Sequence, residues 1–193
     1  MPDPARPPVV NIEDVLADPD LTDVNPERGA FAARFAFIGR ALGTDKIGVN
    51  LTVVPPGKKA WPRHYHFVND EMFVVLAGTG VLHYGEQDWP LRPLDVVHIR
   101  AGTGIPFQIE NTGAQEMRYL AFSTMLPADV FHYPDSDKLG VMANRTPFRS
   151  LGATDDIRLA QWLWAGSKVG YWEGEPEAGD AGAVVTPRPG EGG

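Results

Sequence analysis

Between residues 31 and 124 the chain is cut into short apolar runs by turn-forming residues, and few folds accept that rhythm. The runs fall at 31–38, 48–54, 71–76, 80–84, 96–99, 107–110 and 117–124. In the second, Val49, Leu51 and Val53 alternate with Asn50 and Thr52, the period-two pattern of a half-buried strand. The third is nearly all apolar, as in a strand covered on both faces. Pro55-Pro56-Gly57, Gly78-Thr79-Gly80, Gly85-Glu86-Gln87-Asp88, Pro93-Leu94-Asp95 and Asn111-Thr112-Gly113 separate the runs. Glycine, proline, asparagine and aspartate each end a strand for a stated backbone reason. Strands about 8–12 residues apart with turns between them predict an all-β sandwich or barrel.

The ends of the chain lack this rhythm. Residues 1–10 are proline-rich and read as extended or mobile. Residues 11–17 predict a short helix, with Asn11 as its cap and Ile12, Val15 and Leu16 as its apolar side. Residues 18–28 are polar, carry two prolines and read as a loop. Beyond Thr124 the pattern weakens, and residues 155–164 fit a helix as well as a strand. Trp162, Trp164, Tyr171 and Trp172 are too apolar to hang in water, so that segment should pack on something. The tail from Glu173 is rich in Gly, Pro and Glu and predicts disorder. The expected organisation is an N-terminal extension at 1–28, a β domain at 29–150, a C-terminal segment packed on it at 151–175 and a disordered tail at 176–193.

The chemistry-bearing residues cluster in one stretch, 57–78. His64 and His66 are two apart, so on a strand both point to one face, roughly 6.6 Å apart along it. Each could place a nitrogen about 2.0–2.1 Å from one shared ion if that ion is zinc. Glu71 follows His66 by an odd number of residues and would face away on an unbroken strand. A turn at Val68-Asn69-Asp70 restores it, opening a second strand with Phe73 and Val75 on the same side as Glu71. Two imidazoles and one carboxylate then offer one side of a metal site. The same pattern, taken alone, equally fits polar residues on the surface of a hairpin. Asp70 would face out, Trp61 and Phe67 flank the histidines, and Lys58-Lys59 reads as solvated surface.

Composition narrows the classes. The formal net charge is −8, and Lys58-Lys59 is the longest basic pair in this region, which argues against nucleic acid and anionic membranes. The chain has no cysteine, so disulfides, thiolate metal sites and cysteine nucleophiles drop out. No apolar run approaches spanning length, and the first residues lack the apolar core of a signal peptide. A cytoplasmic protein is expected. No nucleophile elbow or phosphate-binding glycine loop is present.

The spacing Gly57-x6-His64-x-His66-x4-Glu71-x6-Gly78 resembles the first motif of the cupin superfamily. Asp95-x4-Arg100-Ala101-Gly102 through Asn111 resembles the second, and together they span roughly residues 47–124. Pro55-Pro56-Gly57-Lys58, Arg118-Tyr119-Leu120-Ala121, Tyr133-Pro134-Asp135-Ser136 and Tyr171-Trp172-Glu173-Gly174-Glu175 resemble a group of bacterial single-domain cupins. The resemblance implies an antiparallel β-barrel or jelly roll with a divalent metal (Fe, Zn, Mn or Ni) in its mouth, and a homodimer. It implies His64, His66 and Glu71 as metal ligands. The family's further histidine, four residues before the asparagine, is here Phe107. Arg100 stands where the family has proline, and Leu94 where it has glycine. A phenyl ring cannot ligate a metal; it fills and dries the pocket. Phe107, Phe73, His98 and Trp61 are the expected pocket-lining residues, while His83 and His132 read as packed or loop histidines.

Two functions follow from the resemblance. One is a metal-dependent enzyme, of oxygenase or isomerase type, acting on a small organic molecule. The other is a non-catalytic small-ligand binder whose metal site is degenerate or empty. The sequence assigns no catalytic residue beyond the metal ligands.

Overall fold

The computed structural model describes residues 8–143, 159–171 and 173. Residues 1–7, Trp172, the boundary expected at 150/151, Gly174-Glu175 and the expected tail at 176–193 lie outside the described residues. The chain opens with α1 (Ile12–Ala17). Asn11 caps it, its Oδ1 accepting from the Glu13 amide at 2.9 Å, which satisfies one orphan donor of the first turn. Then follow β1 (Thr22–Arg28), β2 (Phe31–Ala36), α2 (Ile38–Leu42) and β3 (Ile47–Val54). The central run is β4 (Tyr65–His66), β5 (Glu71–Ala77), β6 (Gly80–Tyr84), β7 (Gln87–Leu91), β8 (Val96–Ile99), β9 (Phe107–Glu110) and β10 (Met117–Thr124). β11 (Ala128–Tyr133), β12 (Lys138–Ala143) and β13 (Leu159–Trp164) complete the set.

All strand pairs are antiparallel, as in a jelly roll. Among the described residues they form a six-stranded sheet, β1-β2-β3-β10-β5-β8, a four-stranded sheet, β13-β12-β11-β4, and a three-stranded sheet, β7-β6-β9. The ladders do not run on into one closed barrel; single bridges join them, among them His64 to Phe107 and Lys59 to Glu110. No described helix is long and apolar enough to cross a membrane.

The main core lies between the sheets. Phe35, Val54, Phe73, Val75, Ile99, Phe107, Ile109, Met117 and Tyr119 all point into it. A second cluster covers the outer side of β2 and β3, where Val15 of α1 and Ile38 of α2 pack on Ala36, Leu51 and Val53. β3 is therefore buried on both faces rather than half-buried: Thr52 is as enclosed as Leu51. β5 departs the other way. Phe73 and Val75 are buried, but Met72 is 42% and Leu76 39% exposed, so its continuous apolar run covers one face only.

The loop expected at 18–28 contains a strand. β1 is an edge strand that pairs with β2 through the backbone, and its side chains are mostly exposed. Edge position also accommodates Pro26, which cannot donate to a ladder. Such a strand leaves no apolar period to read. The ambiguous segment before residue 164 resolves as β13, paired along its length with β12.

Candidate metal centre

The two histidines enter the site from the run into β4. His64 bridges to Phe107 of β9 through paired backbone hydrogen bonds, His64 N to Phe107 O at 3.1 Å and Phe107 N to His64 O at 2.8 Å. Tyr65 turns outward against Phe67 and His132, so His66 returns to the inner face. The chain bends at Phe67 and Val68, and Glu71 opens β5 on the same cavity. One donor atom from each of His64, His66 and Glu71 lies within 4.8 Å of the others.

Both rings are oriented from behind. His64 Nδ1 lies 2.8 Å from the Pro62 carbonyl. A carbonyl only accepts, so Nδ1 carries the hydrogen and Nε2 is left with its lone pair. Burial, and then the neighbouring His66, push the His64 pKa down to about 4, so this ring is neutral at physiological pH. His66 Nδ1 donates to Asp129 Oδ2 at 2.6 Å, and its Nε2 stands 3.6 Å from Glu71 Oε2. A carboxylate behind a ligating imidazole is the usual way to fix its tautomer and raise its basicity. Burial alone would raise Asp129. Hydrogen bonds from His66, from Asn69 Nδ2 at 3.0 Å and from the Val68 amide at 3.2 Å outweigh it and hold the carboxyl below its ordinary range.

Asn69 is a buried tie rather than a surface turn residue. Its Oδ1 accepts from the Leu126 amide at 2.9 Å and from Thr124 Oγ1 at 3.0 Å, joining the entry of β5 to the end of β10. Neither Asp129 nor Asn69 stands out in the sequence as a site residue. The one available signal was an isolated aspartate in an apolar strand, Asp129 in Ala128–Tyr133.

The cavity at the donors measures about 260 Å³. Phe107 is buried in its wall, its ring centroid 4.7 Å from that of His64 and 5.7 Å from that of Phe73. Trp61 lines the cavity edge and stacks on Phe35 at 4.6 Å. Tyr119 lies at the base, where burial raises its phenol above the ordinary range and Thr52 is its hydrogen-bond partner. Phe131, Tyr133 and Trp162, from the weakly patterned third of the chain, complete the wall.

His98 is not in that wall. It pairs with Met72 across β5 and β8 and shares the outer face of the sheet, its side chain 53% exposed and 3.8 Å from Asp70. Val97 and Ile99 are the residues of β8 that turn inward. His83 sits between Asp88 and Glu110 at 2.7 and 3.0 Å, away from the cavity. His132 is a strand residue of β11, not a loop residue. Lys58 and Lys59 are paired with Glu27 and Glu110. Asp70 accepts from the Ala101 amide at 2.8 Å.

The donor set fits a divalent cation. It holds two nitrogen donors fixed from behind, one carboxylate, and an aromatic wall that limits water. Such a two-His-one-carboxylate group suits non-haem iron, and three protein ligands with open positions suit catalytic zinc.

A family model described as the cupin domain matches residues 50–123. Auxin-binding protein 1 of Arabidopsis thaliana is 29% identical over 100 residues, covering 48% of this chain and 50% of that protein. The chain thus spans about half the length of the curated relative it matches. Among solved structures, a candidate sugar phosphate isomerase of Acidithiobacillus ferrooxidans superposes with a TM-score of 0.66 at 20% identity, covering 84% of this chain and 95% of that one. A sugar phosphate isomerase of Silicibacter pomeroyi gives 0.63 at 23% identity, covering 80% and 96%. At these identities the likeness establishes the fold.

Proposed function

We propose, from the match of a cupin-domain model to residues 50–123, that the chain is a cupin and a metal-dependent enzyme, of oxygenase or isomerase type, acting on a small organic molecule. His64, His66 and Glu71 hold the metal. The observation that carries this reading is the convergence of their three donor atoms within 4.8 Å. A divalent ion there (Fe, Zn, Mn or Ni) supplies Lewis acidity or an O₂-activating centre. The chain's own residues do the rest. Asp129 fixes the His66 ring, Phe107 and Phe73 exclude water, and Tyr119 keeps its proton, bonded to Thr52, in the cavity wall. The names of the two structural neighbours favour isomerisation. The test is elemental analysis of protein made in metal-replete medium. One equivalent of a divalent metal is expected, lost in His64→Ala; metal-free wild-type protein rejects the reading.

One observation favours a second reading. Phe107 stands against His64 where the family's further histidine would ligate, so a ligand-binding protein with a weakened metal site is the alternative. It requires small-ligand binding that a chelator leaves intact. We also propose a cytoplasmic homodimer. Among the described residues β8 is an edge strand, paired on one side only, and Met72, Leu76 and Val96 present apolar surface beside it, the kind of edge that partners cover. Sedimentation at micromolar concentration tests it, and a monomer rejects it.

A further inference from the structure

Among the described residues, the cavity around His64, His66 and Glu71 is lined by neither lysine nor arginine. Its walls are rings such as Phe73, Phe107 and Phe131, with neutral polar groups from Asn50 and Ser123. The cations nearby in the fold are turned to other partners. Lys59 pairs with Glu110 at 3.2 Å, and Arg63 Nη2 donates to the Gly85 carbonyl at 2.9 Å. Lys138 Nζ lies over the Tyr133 ring, 5.6 Å from its centroid, and is not among the residues that line the cavity. Neither α1 nor α2 contributes to the wall, so no helix N-terminus faces it.

The charges then constrain the ligand. A divalent ion held by Glu71 retains one unit of positive charge. A monoanion bound to the ion offsets that unit. A phosphate ester adds close to two, in a cavity whose described lining offers no cation to receive the second. Burying unpaired charge is strongly unfavourable, and proteins that bind phosphate use arginine, lysine or aligned backbone amides. The volume, about 260 Å³, lies below the ~300–1,000 Å³ common for larger ligands.

We infer that the ligand is a small, mostly apolar molecule, aromatic or branched, with one oxygen-donor group and at most one negative charge, and that phosphate esters are excluded. This rests on the metal reading above, and it parts company with the sugar phosphates in the names of the structural neighbours.

The test uses matched probes on the full chain. Uptake of Zn²⁺ or Mn²⁺ is first measured by titration calorimetry. Phenylacetate, phenyl phosphate and glucose 6-phosphate are then titrated into metal-loaded and metal-free protein at pH 8, followed by tryptophan fluorescence and thermal shift. Phenylacetate is expected to bind at least tenfold more tightly than phenyl phosphate, with no response to glucose 6-phosphate. Equal or tighter binding of either phosphate ester overturns the inference, as does failure of both aromatic probes to bind. Absent metal uptake with the preference for phenylacetate intact overturns the metal reading alone.

Discussion

Asp129 decides which nitrogen of His66 is free, and it does so from 63 residues away. If its role is to hold the Nδ1 hydrogen, Asp129→Asn should leave the fold in place and weaken metal binding about 10–100-fold, read by competition with a chelating dye. Affinity equal to wild type would show that the Pro62 and backbone constraints suffice without it. Phe107→His tests the opposite change. The new ring starts 4.7 Å from His64, so metal affinity should rise about tenfold, equivalent to ~1.4 kcal/mol, while metal-free stability falls because a buried phenyl becomes a polar ring. Unchanged affinity would mean that position 107 does not address the ion. Leu94 makes a different point. It stands where the resemblance has glycine, and its φ is +76° with the side chain 82% exposed. An L-residue pays about 1–2 kcal/mol there, partly offset by the greater unfolded-state freedom of glycine. Leu94→Gly is expected to stabilise the protein by about 1 kcal/mol in urea titration. The histidines and Glu71 were readable because they lie close together with a fixed side-chain parity. Asp129 was not, because only the pairing of β11 with β4 brings it near.

Elements differ in how much of themselves they print in the sequence. β6, β8, β9 and β10 begin and end where the turn residues put them. β1 and β7 are exposed edges held by backbone bonds, with Pro26 and Pro90 inside them, so no apolar alternation marks them. Parity misled only where the inner face was assumed: His98 and Ile99 alternate on β8, and Ile99 is the one inside. The sheet β11-β12-β13 was the least legible part, yet it supplies Phe131 and Trp162 to the site. Its key is Gly140. A Cβ there would overlap the Phe131 ring, so this ring lies flat over the glycine of its partner strand. Aromatic cover of a strand glycine also pins register. Gly140→Ala is expected to destabilise the protein by about 1–3 kcal/mol, as overpacking does, with metal affinity falling as Phe131 is pushed toward His66, now 5.3 Å from it. Wild-type stability in urea would contradict the packing described.

At the scale of the molecule, the three donors come from places that tie all three sheets together. Glu71 begins β5 of the six-stranded sheet, His66 belongs to β4 of the four-stranded sheet, and His64 is bridged to β9 of the three-stranded sheet. The strand ladders stop at these junctions, so side chains must hold what backbone bonds do not. An ion at the junction binds the folded chain and finds no such cluster in the unfolded one. Its contribution therefore follows the free concentration: at a hundred times Kd it adds about 2.7 kcal/mol. For a chain of this length each kcal/mol moves Tm by about 2–4 °C, so saturating metal should raise Tm by about 5–10 °C over chelator-treated protein. The rise should vanish in His66→Ala and grow with the logarithm of metal concentration. It should also appear in hydrogen exchange as slower opening of the His64, Phe107 and Glu71 amides together, although they lie in separate ladders. A metal-independent Tm, or protection confined to one sheet, would mean that the junction is held by packing alone and that the three donors do not share an ion.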